Sequence, residues 1–330
     1  AIELATILHW TPRLAEMRNA DGTRVDPDER RREDEAMRDL FGIADVFIWL
    51  QNDWRSKRKT IASGQSEWVL ETWKGRSAHF HWFHDPMNPD PEAAHNRAID
   101  LVYQDAVLNL DYAALRRTME TLARKLANQA VRVTDPQGTD ISFQVTAKFH
   151  TNFGDASKER ISKMTAARDK EEEIPCGCFR TIPVRETVEG VIELKRSFGY
   201  PAFGYGLDVN LFIPKGLRLT YKAGRLVKLE TGGDQKLLDK LWAEETGDKD
   251  RLGELVLGCN PLLKPVPGSA FQPYYGFGDA VLRLTIGENI ESGGQNRSSL
   301  HRWLKFLEAT ISVGGEALVE GGKLTKAAKG

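Results

Sequence analysis

Four histidines stand where their spacing could support metal chemistry. His79 and His81 are two residues apart, so strand alternation places them on one face, with His84 on the other. Imidazole nitrogens at this spacing can share a metal ion. Because the sequence indicates no acidic or thiolate partner for them, the pattern favours a structural role. His301 follows a glycine loop and a polar turn, an arrangement that could present one ligand to a metal site.

The cysteines also form a short-range pair. Cys176 and Cys178 are separated by one glycine, and Cys259 is the third cysteine of the chain. Two cysteines are too few to close a structural zinc site, and an odd, low count argues against a disulfide framework. The sequence therefore favours unpaired thiols in a turn and a reducing, cytoplasmic location.

Composition limits the classes of partner. The chain has 330 residues, of which 41% are hydrophobic and 28% charged, and its formal net charge is -1. This balance provides no global electrostatic attraction to nucleic acid or to an anionic membrane. The sequence has no apolar run of roughly 20 residues that could span a bilayer and no secretory signal at its start. We therefore expect neither nucleic acid nor a membrane as partner.

The elements that must position these residues divide the chain into two parts. Residues 1–110 are predicted to form an α/β domain, with strands at Ile2 to His9 and Ala44 to Leu50. Polar residues 51–53 and a basic run at 55–59 follow the second strand. They are interpreted as a turn and a solvated face, with a ligand or anion contact as the alternative.

Residues 111–330 are predicted to form an α+β domain with a mostly antiparallel sheet. A helix begins after Asp111, and the charged stretch from Asp155 to Glu173 is expected to be exposed. A second helix is predicted at Gln235 to Glu244. The predicted strands are Val131–Val133, Ile141–Val145, Val188–Glu193, Leu207–Ile213, Leu217–Tyr221 and Leu226–Leu229.

Five short motifs follow one another along the chain. They are Gly138-Thr139-Asp140, Ile174-Pro175-x-Gly177, Gly253-Glu254-Leu255-x-x-Gly258-x-Asn260-Pro261, Ile286-Gly287 and Asn296-x-Ser298-x-x-His301. Their order resembles the thermophilic aminopeptidase family, of the aminopeptidase T and S type, whose superfamily includes the iron-dependent 2,5-dihydroxypyridine dioxygenases. The resemblance covers roughly residues 100 to 320 and implies an aminopeptidase T-like fold.

The resemblance also implies five metal-ligand positions, of which this chain keeps two. Glu254 and His301 match the family's ligands. Cys178 stands where a glutamate is expected, Arg283 where a histidine is expected, and Trp303 where an aspartate is expected. Arginine brings a permanent positive charge, and neither it nor tryptophan can ligate a cation. We therefore expect a degenerate metal pocket with no metal and no other cofactor.

A metal-free member of this family would be a non-catalytic peptide-binding protein. We expect Arg283 to pair with Glu254 and Trp303 to stack on a side chain of the peptide. Metal-deficient members resemble accessory proteins of ribosomal peptide natural-product pathways, with crocagin biosynthesis as the candidate, so a precursor or other peptide is the implied partner. The family also implies a homodimer.

Two enzymatic alternatives stay open at the level of sequence. In the first, Cys178 near His301 forms a thiolate nucleophile with Glu254 orienting the histidine. In the second, an iron dioxygenase or metallopeptidase uses relocated ligands. The candidate ligands for that case are His79, His81, His84 and His150.

Overall fold

A computed structural model describes most of the chain from residue 42 onward. The described residues are 42–50, 75–82, 84, 90–164, 167–195, 204–266, 277–290 and 292–329, with single positions at 32, 35, 38 and 39. The predicted strand at Ile2 to His9 and the polar and basic residues 51–59 lie outside this set. Among the described residues, no helix is long and apolar enough to cross a membrane.

The described chain contains strands, helices and short 3-10 turns. The strands are β1 Val46–Leu50, β2 Arg76–Phe80, β3 Ala130–Thr134, β4 Asp140–Thr151, β5 Glu171–Ile174, β6 Cys178–Pro183, β7 Glu189–Leu194, β8 Gly204–Tyr205, β9 Leu217–Lys222, β10 Arg225–Thr231, β11 Leu252–Gly258, β12 Leu282–Gly287, β13 His301–Phe306, β14 Thr310–Val313, β15 Glu316–Glu320 and β16 Lys323–Leu324. The helices are α1 Ala94–Leu108, α2 Tyr112–Leu126, α3 Lys158–Ile161, α4 Gln235–Glu244 and α5 Lys326–Lys329.

A small parallel sheet is built from β1, β2 and β5 in that order. Its third strand, Glu171–Ile174, comes from beyond residue 110, so strand pairing crosses the predicted domain boundary. The prediction that the stretch ending at Glu173 is exposed is wrong at this strand. Glu171, Glu172 and Glu173 are all buried, because they form the third strand of the small sheet. The charged sequence of this stretch does not predict a strand.

A large antiparallel sheet forms the rest of the fold and confirms the predicted mixed architecture. Its strand order is β16-β15-β14-β3-β4-β6-β11-β12-β13-β8, with β7 joining β4 to the β9–β10 hairpin. The predicted helices are confirmed: Asp111 caps α2 by accepting from the backbone N–H of Ala114, and Asp234 caps α4 through Leu237.

One predicted strand is wrong. The segment Leu207 to Ile213 forms two consecutive 3-10 turns, Val209–Leu211 and Ile213–Lys215. The Asp208 carboxylate accepts from the backbone N–H of Asn210, and Pro214 stands at the start of the second turn. The local hydrogen bond of Asp208 and the proline favour turns over strand pairing, although the segment is apolar.

The strands β6, β11, β12 and β13 are buried between two apolar clusters. The larger cluster contains α2 and the side chains on one face of these strands, such as Leu255, Leu284 and Leu304. The smaller cluster lies on the opposite face, where Val256 packs with Tyr103 of α1. The side chains expected to form the site lie on this second face, so the site is built on a rigid support.

Candidate functional site

Strand register brings the expected site residues onto one face of the large sheet. On β12 and β13, Arg283 lies opposite Lys305, Thr285 opposite Trp303, and Gly287 opposite His301. Because side chains alternate along a strand, His301, Trp303 and Lys305 all point to the same side. Exposure falls along β13, from the partly exposed residues 301–303 to the buried residues 304–306.

The loop that precedes His301 is held by buried amides. The side-chain amide of Asn296 donates to the carbonyl oxygens of Leu252 and Gly287, at 3.1 and 3.0 Å. The backbone N–H of Asn296 donates to Oδ1 of Asn289 at 2.8 Å. A Cβ at Gly294 would lie 2.1 Å from that same oxygen, so only glycine fits there. The motif that suggested a metal site therefore serves first to attach the loop to β11 and β12.

Both ring nitrogens of His301 are engaged. Nδ1 lies 2.7 Å from the carbonyl oxygen of Glu288, which can only accept, so Nδ1 carries the proton. The indole Nε1–H of Trp303 donates to Nε2 at 2.5 Å, so Nε2 is the acceptor. These two contacts define a neutral imidazole whose only lone pair suited to a metal is already used. Tyr205 stacks on the ring at 5.6 Å between centroids.

Glu254 is a buried carboxylate whose ion-pair partner is Arg180. The shortest separation is 3.7 Å, from Nη1 of Arg180 to Oε1 of Glu254. Ser292 donates its hydroxyl proton to Glu254 and accepts from Arg180 at 2.9 Å. Burial by itself would raise the pKa of Glu254, but the charge of Arg180, with smaller contributions that include Arg283, holds it below its usual value. The expected ion pair of Glu254 with Arg283 is therefore wrong.

Arg283 is the most deeply buried charge of the site, with 1% of its surface exposed. Its guanidinium carbon lies 4.4 Å from the ring centroid of Trp303 and 4.7 Å from that of Phe277. Among the described residues, its Nε and Nη1 have no hydrogen-bond partner. Burial lowers the pKa of this guanidinium from its ordinary value. One face of Trp303 is thus covered by Arg283, so at most the other face is open to a ligand.

Lys305 belongs to this face and was missed at the level of sequence. It lies opposite Arg283 in the strand pairing and is 7% exposed. Burial, followed by the nearby positive charge of Arg283, lowers the pKa of its ammonium group to about 7. Alternation from His301 and Trp303 could have identified Lys305, because it is the next residue with the same parity.

Cys178 lies at the periphery of the site. Its side chain is buried in the apolar cluster with Val256 and Phe277, within electrostatic range of Arg283. Strands β6 and β13 are separated by β11 and β12, which puts Cys178 about 14 Å or more from His301 at a strand spacing of about 4.8 Å. The expected proximity of this thiol to His301 is therefore wrong, and the two do not form a nucleophile–base pair.

The histidines of the small sheet have acidic partners that local sequence did not reveal. Nδ1 of His79 lies 3.6 Å from Glu171, and Nε2 of His81 lies 3.7 Å from Glu173. The two imidazole rings are 3.7 Å apart, which confirms that they share one face. Burial and then the charge of His79 lower the pKa of His81 to about 3, so His81 is neutral at physiological pH.

The other two candidate histidines have their own carboxylate partners. His84 contacts Asp100 at 2.9 Å, and His150 contacts Asp169 at 2.8 Å. His150 lies opposite Arg180 in the pairing of β4 with β6. Neither histidine is therefore brought to His301.

The residues present on the site face do not fit a divalent metal ion. Arg283 puts a positive charge in the centre, where a metal would need a donor. Nε2 of His301 is occupied by Trp303, and Glu254 is neutralised by Arg180. Throughout the described part of the chain, no group of three or more His, Cys, Asp or Glu side chains is placed to hold a metal ion.

Comparisons with known proteins show the fold. No protein-family model and no curated protein matches the sequence. A solved structure of 2,5-dihydroxypyridine dioxygenase from Pseudomonas putida KT2440 is similar, with a TM-score of 0.58 and 15% identity over 89% of this chain and 76% of that chain. Wild-type AmpT from Thermus thermophilus is similar with a TM-score of 0.56 and 16% identity, over 89% of this chain and 80% of that chain. At this identity the comparisons confirm the aminopeptidase T-like fold and leave activity open.

Proposed function

We propose that this protein is a metal-free, non-catalytic peptide-binding protein built on a metalloenzyme fold. The observation that carries the proposal is the position of Arg283, whose guanidinium is buried on the site face within cation–π distance of Phe277 and Trp303. Because arginine only donates hydrogen bonds and stays charged, it can hold a ligand but cannot act as a general base or metal ligand. Because Trp303 also donates to Nε2 of His301 and Arg180 pairs with Glu254, the site keeps groups for binding and lacks a free set of metal ligands.

The fold supports a peptide as the ligand class. AmpT is similar to this chain in fold. The resemblance to the aminopeptidase family implies a cleft shaped for an extended peptide. The site face offers groups that suit a peptide: aromatic rings at Tyr205 and Trp303 and charged donors further in. By the family resemblance, the proposal includes a cytoplasmic homodimer that serves ribosomal peptide biosynthesis of the crocagin type, with a precursor peptide as ligand.

The direct test has two parts on the purified full chain. Elemental analysis after incubation with Zn²⁺ or Fe²⁺ measures bound metal, and we expect well below one equivalent. Native mass spectrometry with pools of random tripeptides measures binding, and we expect retained peptides that are recovered uncut. Stoichiometric metal with peptide cleavage would overturn the proposal, and so would the absence of any retained peptide.

The same metal measurement tests the alternative of a metalloenzyme with relocated ligands. The relocated ligands of this alternative would be His79 with Glu171 and His81 with Glu173. In the described part of the chain, however, no group of three or more such side chains is placed to hold a metal ion. A metal signal that is lost in His79→Ala and kept in Trp303→Ala would assign the ion to the small sheet. Ultracentrifugation of the same sample tests the homodimer.

A further inference from the structure

The guanidinium of Arg283 is incompletely satisfied. More than nine in ten buried polar groups in proteins have a hydrogen-bond partner. Arg283 is 1% exposed, and its Nε and Nη1 have no such partner among the described residues. The guanidinium carbon lies 4.7 Å from the ring centroid of Phe277 and 4.4 Å from that of Trp303, and neither ring offers an acceptor in the plane of the N–H groups. A buried donor left in this state costs stability, which indicates that a ligand completes it.

The neighbouring charges determine what kind of ligand this is. Arg180, on β6, is committed to Glu254 and Ser292. Lys305 lies beside Arg283 on the adjacent strand and adds a second nitrogen donor at the same level of the sheet. Two basic side chains next to each other, one of them with unused N–H groups, match an anion and repel a cation.

We propose that Arg283, together with Lys305, receives a carboxylate group of the bound peptide at the floor of the site. This inference rests on the proposed peptide-binding function. A carboxylate is planar and accepts two hydrogen bonds, which is the geometry that the arginine fork offers. The peptide would enter past His301 and Tyr205, where β13 is partly exposed, and reach Arg283 with its acidic group first.

The assignment of Arg283 as a carboxylate receptor determines how the peptide is oriented in the site. An aminopeptidase must hold the amino terminus of its substrate, whereas a receptor built on Arg283 repels an ammonium group. The carboxylate can come from the C-terminus of the peptide or from an aspartate or glutamate side chain. Both sources have the same chemistry, and the arms of the experiment separate them.

The test compares three pools of N-acetylated random tripeptides on the wild-type protein. The first pool has free C-terminal carboxylates and excludes Asp and Glu, the second is C-terminally amidated and also excludes them, and the third is amidated but contains them. We expect the first or third pool to be retained and the second to be lost. Retention of the first alone assigns the C-terminus, and retention of the third alone assigns a side chain.

Variants connect the result to the residue. Arg283→Met removes the donors and keeps the length of the side chain, and we expect affinity for the retained pool to fall by about tenfold to 100-fold. Lys305→Met should reduce it by about threefold to tenfold. Arg132→Met, on β3, removes an exposed ion pair with Asp140 of β4; it is the matched control and should bind as wild type does. If Arg283→Met fails to fold, Arg283→Lys keeps the charge without the fork and should still lose affinity.

The outcomes distinguish this inference from the proposed function. Equal retention of all three pools, or wild-type affinity in a folded Arg283 variant, overturns the carboxylate receptor and leaves peptide binding intact. Retention of no pool overturns peptide binding itself. Loss of the second pool together with weakened binding in Arg283→Met supports both.

Discussion

The two faces of strands β11, β12 and β13 are built from alternating residues of the same three strands, yet they are opposite in chemistry. One face carries Leu255, Leu284, Leu304 and their neighbours, all buried in the large apolar cluster. The other face carries Arg283 and Lys305, which are equally buried but charged or titratable. Since adjacent residues on a strand point to opposite sides, each strand contributes to both faces.

The comparison separates the face that stabilises the fold from the face to which we assign binding. Burying leucine side chains is favourable by roughly 1.5–3 kcal/mol each, whereas burying a charge with incomplete hydrogen bonding is unfavourable. The apolar face therefore stabilises the fold, and this offsets the destabilising effect of the polar face. Such a face persists where a ligand or function requires it, and this is the pattern expected of a binding site.

The largest effect we expect is a gain of Zn²⁺ affinity when metal ligands are introduced on the polar face. The double variant Arg283→His with Trp303→Asp removes the central charge, releases Nε2 of His301 and adds two donors beside Glu254. We expect affinity for Zn²⁺ to rise by about 100-fold or more over wild type, in line with the larger donor number. Calorimetry with Zn²⁺ measures it.

Cys178→Glu is the control for this experiment. Because β11 and β12 separate Cys178 from His301, this single change should leave Zn²⁺ affinity close to that of wild type. Strong Zn²⁺ binding by wild type, or by Cys178→Glu alone, would contradict the placement of the pocket around Arg283.

Truncation of the apolar face tests the other half of the comparison. Leu284 is fully buried next to Arg283 in the sequence, and Leu284→Ala should lower the free energy of unfolding by about 2–5 kcal/mol. Arg283→Met should be neutral or stabilising, since an apolar side chain replaces a buried charge of similar length. Urea denaturation of both variants measures the difference, and a greater loss in Arg283→Met would show that the charge is structural.

Lys305 provides a test that depends on pH. The unfolded chain holds the lysine proton up to about pH 10.5, whereas the folded protein holds it only below about pH 7. Between pH 7 and pH 10.5 the unfolded state binds more protons than the folded state. The free energy of unfolding of wild type therefore increases as the pH rises through this range and decreases as the pH falls back to 7. Lys305→Met should therefore stabilise the protein by about 1–3 kcal/mol near pH 6 and by less near pH 9.

Denaturation curves at both pH values measure this effect of Lys305. The difference in the free energy of unfolding between Lys305→Met and wild type must become smaller as the pH increases. A constant difference would mean that Lys305 stays protonated in the folded protein. A difference that grows with pH would mean that the charged form of Lys305 stabilises the fold.

The smallest effect concerns the indole–imidazole contact. Trp303→Phe keeps an aromatic ring beside Arg283 but removes the donor to Nε2 of His301, so it should cost about 1 kcal/mol. Nitrogen NMR of the imidazole should show the Nδ1–H tautomer in wild type. Detection of the Nε2–H tautomer in wild type would disprove the contact.

Much of the fold follows from local sequence signals. Asp111 and Asp234 mark the starts of two helices whose caps the structure confirms. The fold class, a mixture of helices and strands, could also be predicted, because alternating segments such as Val131–Val133 predict antiparallel strands. The strands that carry the site were harder to recognise, since β11 and β12 include Glu254 and Arg283 among apolar residues and are buried on both faces.

The candidate site was only partly predictable. Motif order identified Glu254, Arg283, His301 and Trp303. The register of β12 and β13 places the last three on one face, and Glu254 lies within electrostatic range of Arg283 and His301. Their contacts could not be read from the sequence: the partner of Glu254 is 74 residues away, at Arg180. The binding role assigned to these residues stays a prediction.

The order of residues along the chain is enough to predict the kind of fold and the chemical groups available in the pocket. An arginine and a tryptophan at expected ligand positions argue against a metal whatever their exact placement. Which groups meet depends on the folded chain, which brings Trp303 to His301, Arg180 to Glu254 and Lys305 to Arg283. The reason is that strand order and register join distant segments, and no local pattern records those pairings.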